Sequence, residues 1–62
     1  MKRGDFVKYL KKNNCVLLRE GAKHSVFINI TNNRQTTIPR HPDIYDMLCK
    51  EICKQLQIPS VK

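Results

Sequence analysis

Apolar residues near the start of the chain recur at the spacing of an α-helix. Phe6, Val7 and Leu10 fall on one side of such a helix, and lysines occupy the other side. The pattern therefore predicts a short amphipathic helix over residues 4–13 that stops near the Asn13-Asn14 pair.

Three short strands are predicted after this helix. Residues 15–20 are β-branched and leucine-rich, too short a run for a stable helix, and Gly21 marks a turn after them. Residues 24–30 alternate along the chain, and the alternation has two faces: His24, Val26, Ile28 and Ile30 on one, Ser25, Phe27 and Asn29 on the other. Asparagines in the next turn tolerate left-handed backbone conformations. A third strand then covers residues 35–38, and Pro39 ends it because proline cannot donate to a sheet ladder.

A second helix is predicted near the end of the chain. Asp43 follows Pro42 and is a residue type that caps helix N-termini. The pattern that follows is an apolar stripe made of Ile44, Met47, Leu48, Ile52 and Leu56. We expect the helix to run to about Gln57, with Pro59 preventing its continuation.

The order of these elements is helix, three strands, helix. It predicts an α+β fold in which a three-stranded antiparallel sheet carries both helices on one face. The other face of the sheet would then be left for a ligand or a partner.

The composition narrows the possible functions. The chain has 62 residues, with 12 lysines and arginines against 5 aspartates and glutamates, for a formal charge of +7. This length allows one small domain with a thin core. The positive charge indicates an acidic partner, either nucleic acid or an acidic protein. The sequence contains neither a membrane-spanning apolar stretch nor an apolar leader segment, so we expect a cytoplasmic protein and no membrane partner.

Three cysteines, Cys15, Cys49 and Cys53, make an odd count that argues against a disulfide framework. We expect them to be reduced and mostly buried. Cys49 and Cys53 are four residues apart, which is not the usual spacing of a zinc knuckle. We therefore expect no metal site.

His24 stands in the segment Gly21-Ala22-Lys23-His24, between two apolar alternating stretches of a basic chain. A histidine titrates near neutral pH and can transfer a proton at an RNA phosphate. The alternative interpretation is that His24 merely begins a strand on its exposed face.

The chain resembles the HicA family of bacterial toxins over nearly its whole length. The resemblance lies in the opening helix, in the Gly21-Ala22-Lys23-His24 turn that leads to Phe27, in the segment from Thr37 to Pro42, and in the closing helix with Ile52 to Leu56. It implies a single toxin domain over residues 1–62 with a fold like that of double-stranded-RNA-binding domains (dsRBD-like). The chain departs from the family at Ala22, where a serine is usual. The phosphate contact that the serine hydroxyl would make is therefore in question.

The resemblance also implies a function. Such proteins are mRNA interferases, which are endoribonucleases that cleave mRNA without the ribosome and arrest translation, and a HicB-type antitoxin restrains them. His24 occupies the catalytic position of the family. The expected chemistry is metal-independent and needs no cofactor, with His24 as general base or acid and with Lys23 or Arg40 stabilising charge in the transition state.

Other residues are also candidates for catalysis or for RNA contact. His41 is a secondary catalytic candidate, although a solvated loop histidine is the alternative. Among the many cations, Arg19, Lys23, Arg34 and Arg40 are expected to contact RNA, since the lysines of the helices fit a solvated helix face. Two other functions remain open: a non-catalytic RNA-binding module of the same fold, and a protein-interaction domain that docks an acidic partner.

Overall fold

The structure, a computed structural model, describes residues 1–61. Its elements in chain order are α1 (Arg3–Lys12), β1 (Cys15–Glu20), β2 (His24–Asn29), β3 (Arg34–Pro39) and α2 (Asp46–Leu56). The strands form one antiparallel sheet in the order β1-β2-β3. The predicted α-β-β-β-α order is thereby confirmed, and it is consistent with the dsRBD-like fold.

Both helices lie on one face of this sheet. Cys15 pairs with Asn29 and Ile38 pairs with Ser25, so these residues and Phe27 point to the same side. The apolar residues Cys15, Phe27 and Ile38 of this side pack in one buried cluster with apolar residues of the two helices, Phe6, Leu10, Cys49, Ile52, Cys53 and Leu56. The opposite side of the sheet, which we call the open face, is not covered by either helix.

The predicted alternation along β2 is confirmed, with one difference at its end. Phe27 faces the helices, as does Asn29, whereas His24 begins the strand on the open face. Ile30 lies outside the strand and is exposed. The strand stops because the Asn29 side-chain oxygen accepts hydrogen bonds from the backbone N–H and the hydroxyl of Thr31, which starts the turn.

The predicted start of α2 is wrong. Asp43 does not cap the helix, which begins at Asp46 with Tyr45 in the N-cap position. Asp43 instead forms an isolated bridge with Lys2, and the Ile44 N–H donates to the carbonyl of Met1 at 2.8 Å. Pairing with the start of the chain therefore keeps residues 43–44 extended and delays the helix.

The predicted apolar stripe of α2 is wrong at two positions. Ile44 is buried but precedes the helix, which begins at Asp46. Met47 is 74% exposed, whereas Cys49, Ile52, Cys53 and Leu56 are buried. These four residues follow helical spacing, and Met47 precedes Cys49 by two residues, about 200° around the helix. Met47 therefore points away from the core. None of the helices formed by residues 1–61 has the length and hydrophobicity of a membrane span.

The Asn29 side chain links the C-terminal end of α2 to the sheet by a hydrogen bond. Its side-chain amide is buried and donates to the carbonyl of Leu56 at 2.9 Å, and the amide of Asn32 reaches the same oxygen at 3.2 Å. A helix C-terminus leaves such carbonyls without partners inside the helix. The two amides therefore satisfy an acceptor that the helix itself leaves unpaired.

We expect Asn29→Asp to destabilise the fold by about 1–3 kcal/mol, because a carboxylate cannot donate to the Leu56 carbonyl and is placed at the negative end of the helix dipole. Urea denaturation measures the change in the free energy of unfolding. Asn33→Asp is the matched control, since it makes the same charge change at an exposed position of the turn after β2, and aspartate also adopts the left-handed backbone found at Asn33. Equal costs for the two variants would contradict the assigned role of Asn29.

Candidate functional site

The turn between β1 and β2 is tight and glycine-dependent. It consists of Gly21, Ala22 and Lys23, and the Gly21 N–H donates to the carbonyl of His24 at 2.8 Å. A Cβ atom on Gly21 would lie 2.9 Å from that same oxygen, closer than real Cβ contacts. The predicted glycine turn is thus present, and it fixes the backbone on which the His24 side chain is carried.

His24 is exposed at the first position of the central strand, on the open face. Its partner across the sheet is Pro39 in β3. Two residues further on, Val26 pairs with Arg19 on one side and with Thr37 on the other. Diagonal neighbours of this kind are roughly 7–8 Å apart, so Arg19 and His24 share one end of the open face.

Arg40 folds back over the turn. Its Nη2 atom donates to the carbonyls of Gly21 and His24, the latter at 3.3 Å, and its Nε lies 3.5 Å from Oε1 of Glu20. Lys23 is exposed in the same turn. The structure therefore gathers His24 and the cations Arg19, Lys23 and Arg40 at one end of the sheet.

Arg34 lies away from this group. It pairs with Asn29, five residues along β2 from His24, which is about 17 Å at the usual rise of a strand. The Arg34 guanidinium faces Gln57, whose side-chain oxygen accepts from it at 2.9 and 3.2 Å in the amide orientation that satisfies both groups. An RNA contact by Arg34 would thus be separate from the surroundings of His24.

His41 is exposed in the connection between β3 and α2, two residues after Pro39. It follows Arg40, whose side chain reaches the His24 carbonyl. The chain thus returns close to the turn before it leaves the sheet, and His41 stays a secondary candidate there.

Sequence reasoning did not find the residues beneath His24. Ser25 is fully buried, and its hydroxyl donates to Oε1 of Glu20 at 2.6 Å and accepts from Nη2 of Arg3 at 3.0 Å. Nε of Arg3 donates to the carbonyl of Pro39 at 3.0 Å. The sequence contained one signal, because Ser25 is a small polar residue on the same strand face as Phe27. A polar side chain buried there needs hydrogen-bond partners. Its partners could not be named because Arg3 is 22 residues away.

The cysteines are free and buried, as predicted. Burial raises the pKa of the Cys15, Cys49 and Cys53 thiols above the ordinary value of 9.0. The thiols are therefore protonated at neutral pH, whereas a metal binds the thiolate. Residues 1–61 contain no group of three or more histidine, cysteine or acidic side chains arranged to hold a metal ion.

Comparison with known protein families gives a match over most of the chain. The family model for the HicA toxin of bacterial toxin-antitoxin systems matches residues 3–58 of the 62-residue chain. The matched region includes the whole sheet, both helices and every candidate site residue from Arg3 to His41. No curated protein and no solved structure matches the chain.

Proposed function

The chain belongs to the HicA family of toxins of bacterial toxin-antitoxin systems, and we propose that it is an endoribonuclease that cleaves mRNA and thereby inhibits translation. One observation carries the proposal: an exposed histidine, His24, stands on a glycine-held turn among cations. An imidazole in contact with solvent can reach a substrate, and nearby positive charge favours a phosphate beside it.

The proposed reaction is attack of the RNA 2′-oxygen on the adjacent phosphorus. His24 accepts the proton of the 2′-hydroxyl, the new O–P bond forms, and the bond to the 5′-oxygen breaks. The departing 5′-oxygen takes up a proton from a protonated donor, for which His24, His41 and solvent are the candidates. The products are a 2′,3′-cyclic phosphate and a 5′-hydroxyl, and the step needs no metal because the imidazole itself moves the proton.

Cations of the site have distinct proposed tasks. Lys23 is exposed next to His24 and is proposed to stabilise negative charge that develops on the phosphate. Arg19 lies beside His24 on the open face and is proposed to bind a neighbouring phosphate. Arg34 stands about 17 Å along the strand and, like its partner Asn29, on the helix side of the sheet, so an RNA contact by Arg34 would lie outside the open face.

Family membership also implies a HicB-type antitoxin as a partner. We propose that this antitoxin covers His24 and the cations beside it, since one interface would then block both RNA binding and proton transfer. A complex in which His24 stays accessible to solvent would contradict this arrangement.

Incubation of the purified protein with RNA in the presence of EDTA tests the proposed activity. We expect cleavage products that end in a 2′,3′-cyclic phosphate, because the reaction depends on side-chain proton transfer alone. The competing function, a non-catalytic RNA-binding module, predicts binding that weakens with salt while the RNA stays intact. Intact RNA after long incubation would therefore contradict the nuclease and favour the binding module.

A further inference from the structure

We propose that four residues, Arg3, Glu20, Ser25 and Arg40, form a turn clamp that positions the backbone of His24, and that Arg40 serves this clamp and not RNA contact. The proposal rests on the proposed function, because it assigns positioning residues to the same reaction. None of the four needs to touch the substrate. Each acts through the chain on either side of His24.

The first half of the clamp lies on the helix side of the sheet. Ser25 follows His24 directly and points the opposite way, into the protein, where its hydroxyl joins Glu20 at 2.6 Å to Arg3 at 3.0 Å. Arg3 also binds the carbonyl of Pro39, the residue paired with His24 across the sheet. The backbone after His24 and the backbone opposite it are thus tied to the same guanidinium at the start of α1.

The second half lies at the turn. Glu20 accepts from Ser25 and, with the same oxygen, faces Nε of Arg40 at 3.5 Å. Arg40 in turn donates to the carbonyl of Gly21, which begins the turn, and to the carbonyl of His24, which directly follows it. Glu20 therefore connects the buried Ser25 hydroxyl to the guanidinium that binds the turn carbonyls.

This arrangement changes the interpretation of Arg40. Its Nε and Nη2 atoms are directed to Glu20 and to turn carbonyls, and the Glu20 carboxylate offsets its charge. Binding a phosphate with these atoms would release the turn that carries His24. Misplacement of a catalytic group by about 1 Å can cost 10²-fold in rate, so keeping the turn closed favours proton transfer more than one additional phosphate contact would.

Steady-state kinetics of RNA cleavage separate positioning from binding. We expect Glu20→Gln and Arg40→Gln each to lower kcat about tenfold with little change in KM, since both loosen the same turn. The double variant should be no slower than the slower single variant, because the two residues act as one unit. Glu51→Gln and Lys12→Gln make the same charge changes at exposed helix positions and should keep the parental kcat.

Two kinetic outcomes would overturn the proposal. If Arg40 binds RNA, Arg40→Gln raises KM in a salt-dependent way, and Glu20→Gln lowers KM because it removes a negative charge near the RNA. If the residues act independently, the losses in kcat multiply to about a hundredfold in the double variant. Either result removes Arg40 from the clamp.

Amide hydrogen exchange provides a readout that does not need activity. We expect the Gly21 amide, which donates to the His24 carbonyl, to exchange faster in Glu20→Gln and in Arg40→Gln, while Ile52 in the core of α2 keeps its parental rate. Unchanged exchange at Gly21 would overturn the clamp. If the parent protein cleaves no RNA, the proposed function fails, and the Gly21 exchange rate still decides whether the clamp exists.

Discussion

We expect His24→Ala to lose RNA cleavage by about 10²–10⁴-fold, the range that a positioned general acid or base contributes. The loss should appear in kcat, because the proposed role of the side chain lies in the transition state and the cations proposed to bind phosphate stay in place. The measurement is the initial rate of cleavage with EDTA present, together with the affinity for a non-cleavable RNA. Affinity should change little.

The controls for this experiment rely on the solvent exposure of the two histidine side chains. His24 and His41 are both exposed, so removing either should change the free energy of unfolding by no more than about 0.5 kcal/mol. Urea denaturation of both variants checks that the fold is intact. An activity of His24→Ala equal to that of the parent protein would contradict the assignment of His24. A loss confined to His41→Ala would move the proton-transfer role to the connection after β3.

Part of this site could be predicted from the sequence, because the features concerned depend on residues only a few positions apart. Gly21 as the turn residue and His24 as the exposed first residue of a strand both follow from alternation within a few positions. The contacts that hold the turn do not. Arg40 reaches back 19 residues to Gly21, and Arg3 reaches forward 22 residues to Ser25. Pairings of side chains over such separations leave no periodic pattern in the sequence.

The fold could likewise be predicted where it depends on neighbouring residues, but not where it depends on residues far apart in the chain. The strands were predicted closely, because alternation and turn residues determine them over short stretches. The start of α2 was not, since it depends on pairing between residues 43–44 and the first two residues of the chain. Hydrophobicity alone also failed to separate Met47 from Ile52, because the direction of a helical stripe depends on where the helix packs.

Met47 and Ile52 provide the second large effect. We expect Ile52→Ala to destabilise the fold by about 2–5 kcal/mol, because Ile52 is only 2% exposed and its truncation leaves a cavity in the cluster shared by α2 and the sheet. Met47→Ala on the same helix should change stability by no more than about 0.5 kcal/mol, since its side chain is largely in solvent. Urea denaturation compares the two free energies of unfolding directly.

The loss of stability in Ile52→Ala should also lower the measured RNA cleavage. A domain of this length has a total stability of about 3–9 kcal/mol, so Ile52→Ala removes a large fraction of it and populates unfolded chains. We expect RNA cleavage per total protein, relative to the parent protein at the same temperature, to fall with the folded fraction and to recover on cooling towards 15 °C, near the usual temperature of maximum stability. His24→Ala should show no such recovery, because it removes the proposed proton-transfer group from a folded protein. Similar unfolding free energies for Ile52→Ala and Met47→Ala would contradict the orientation of α2 on the sheet.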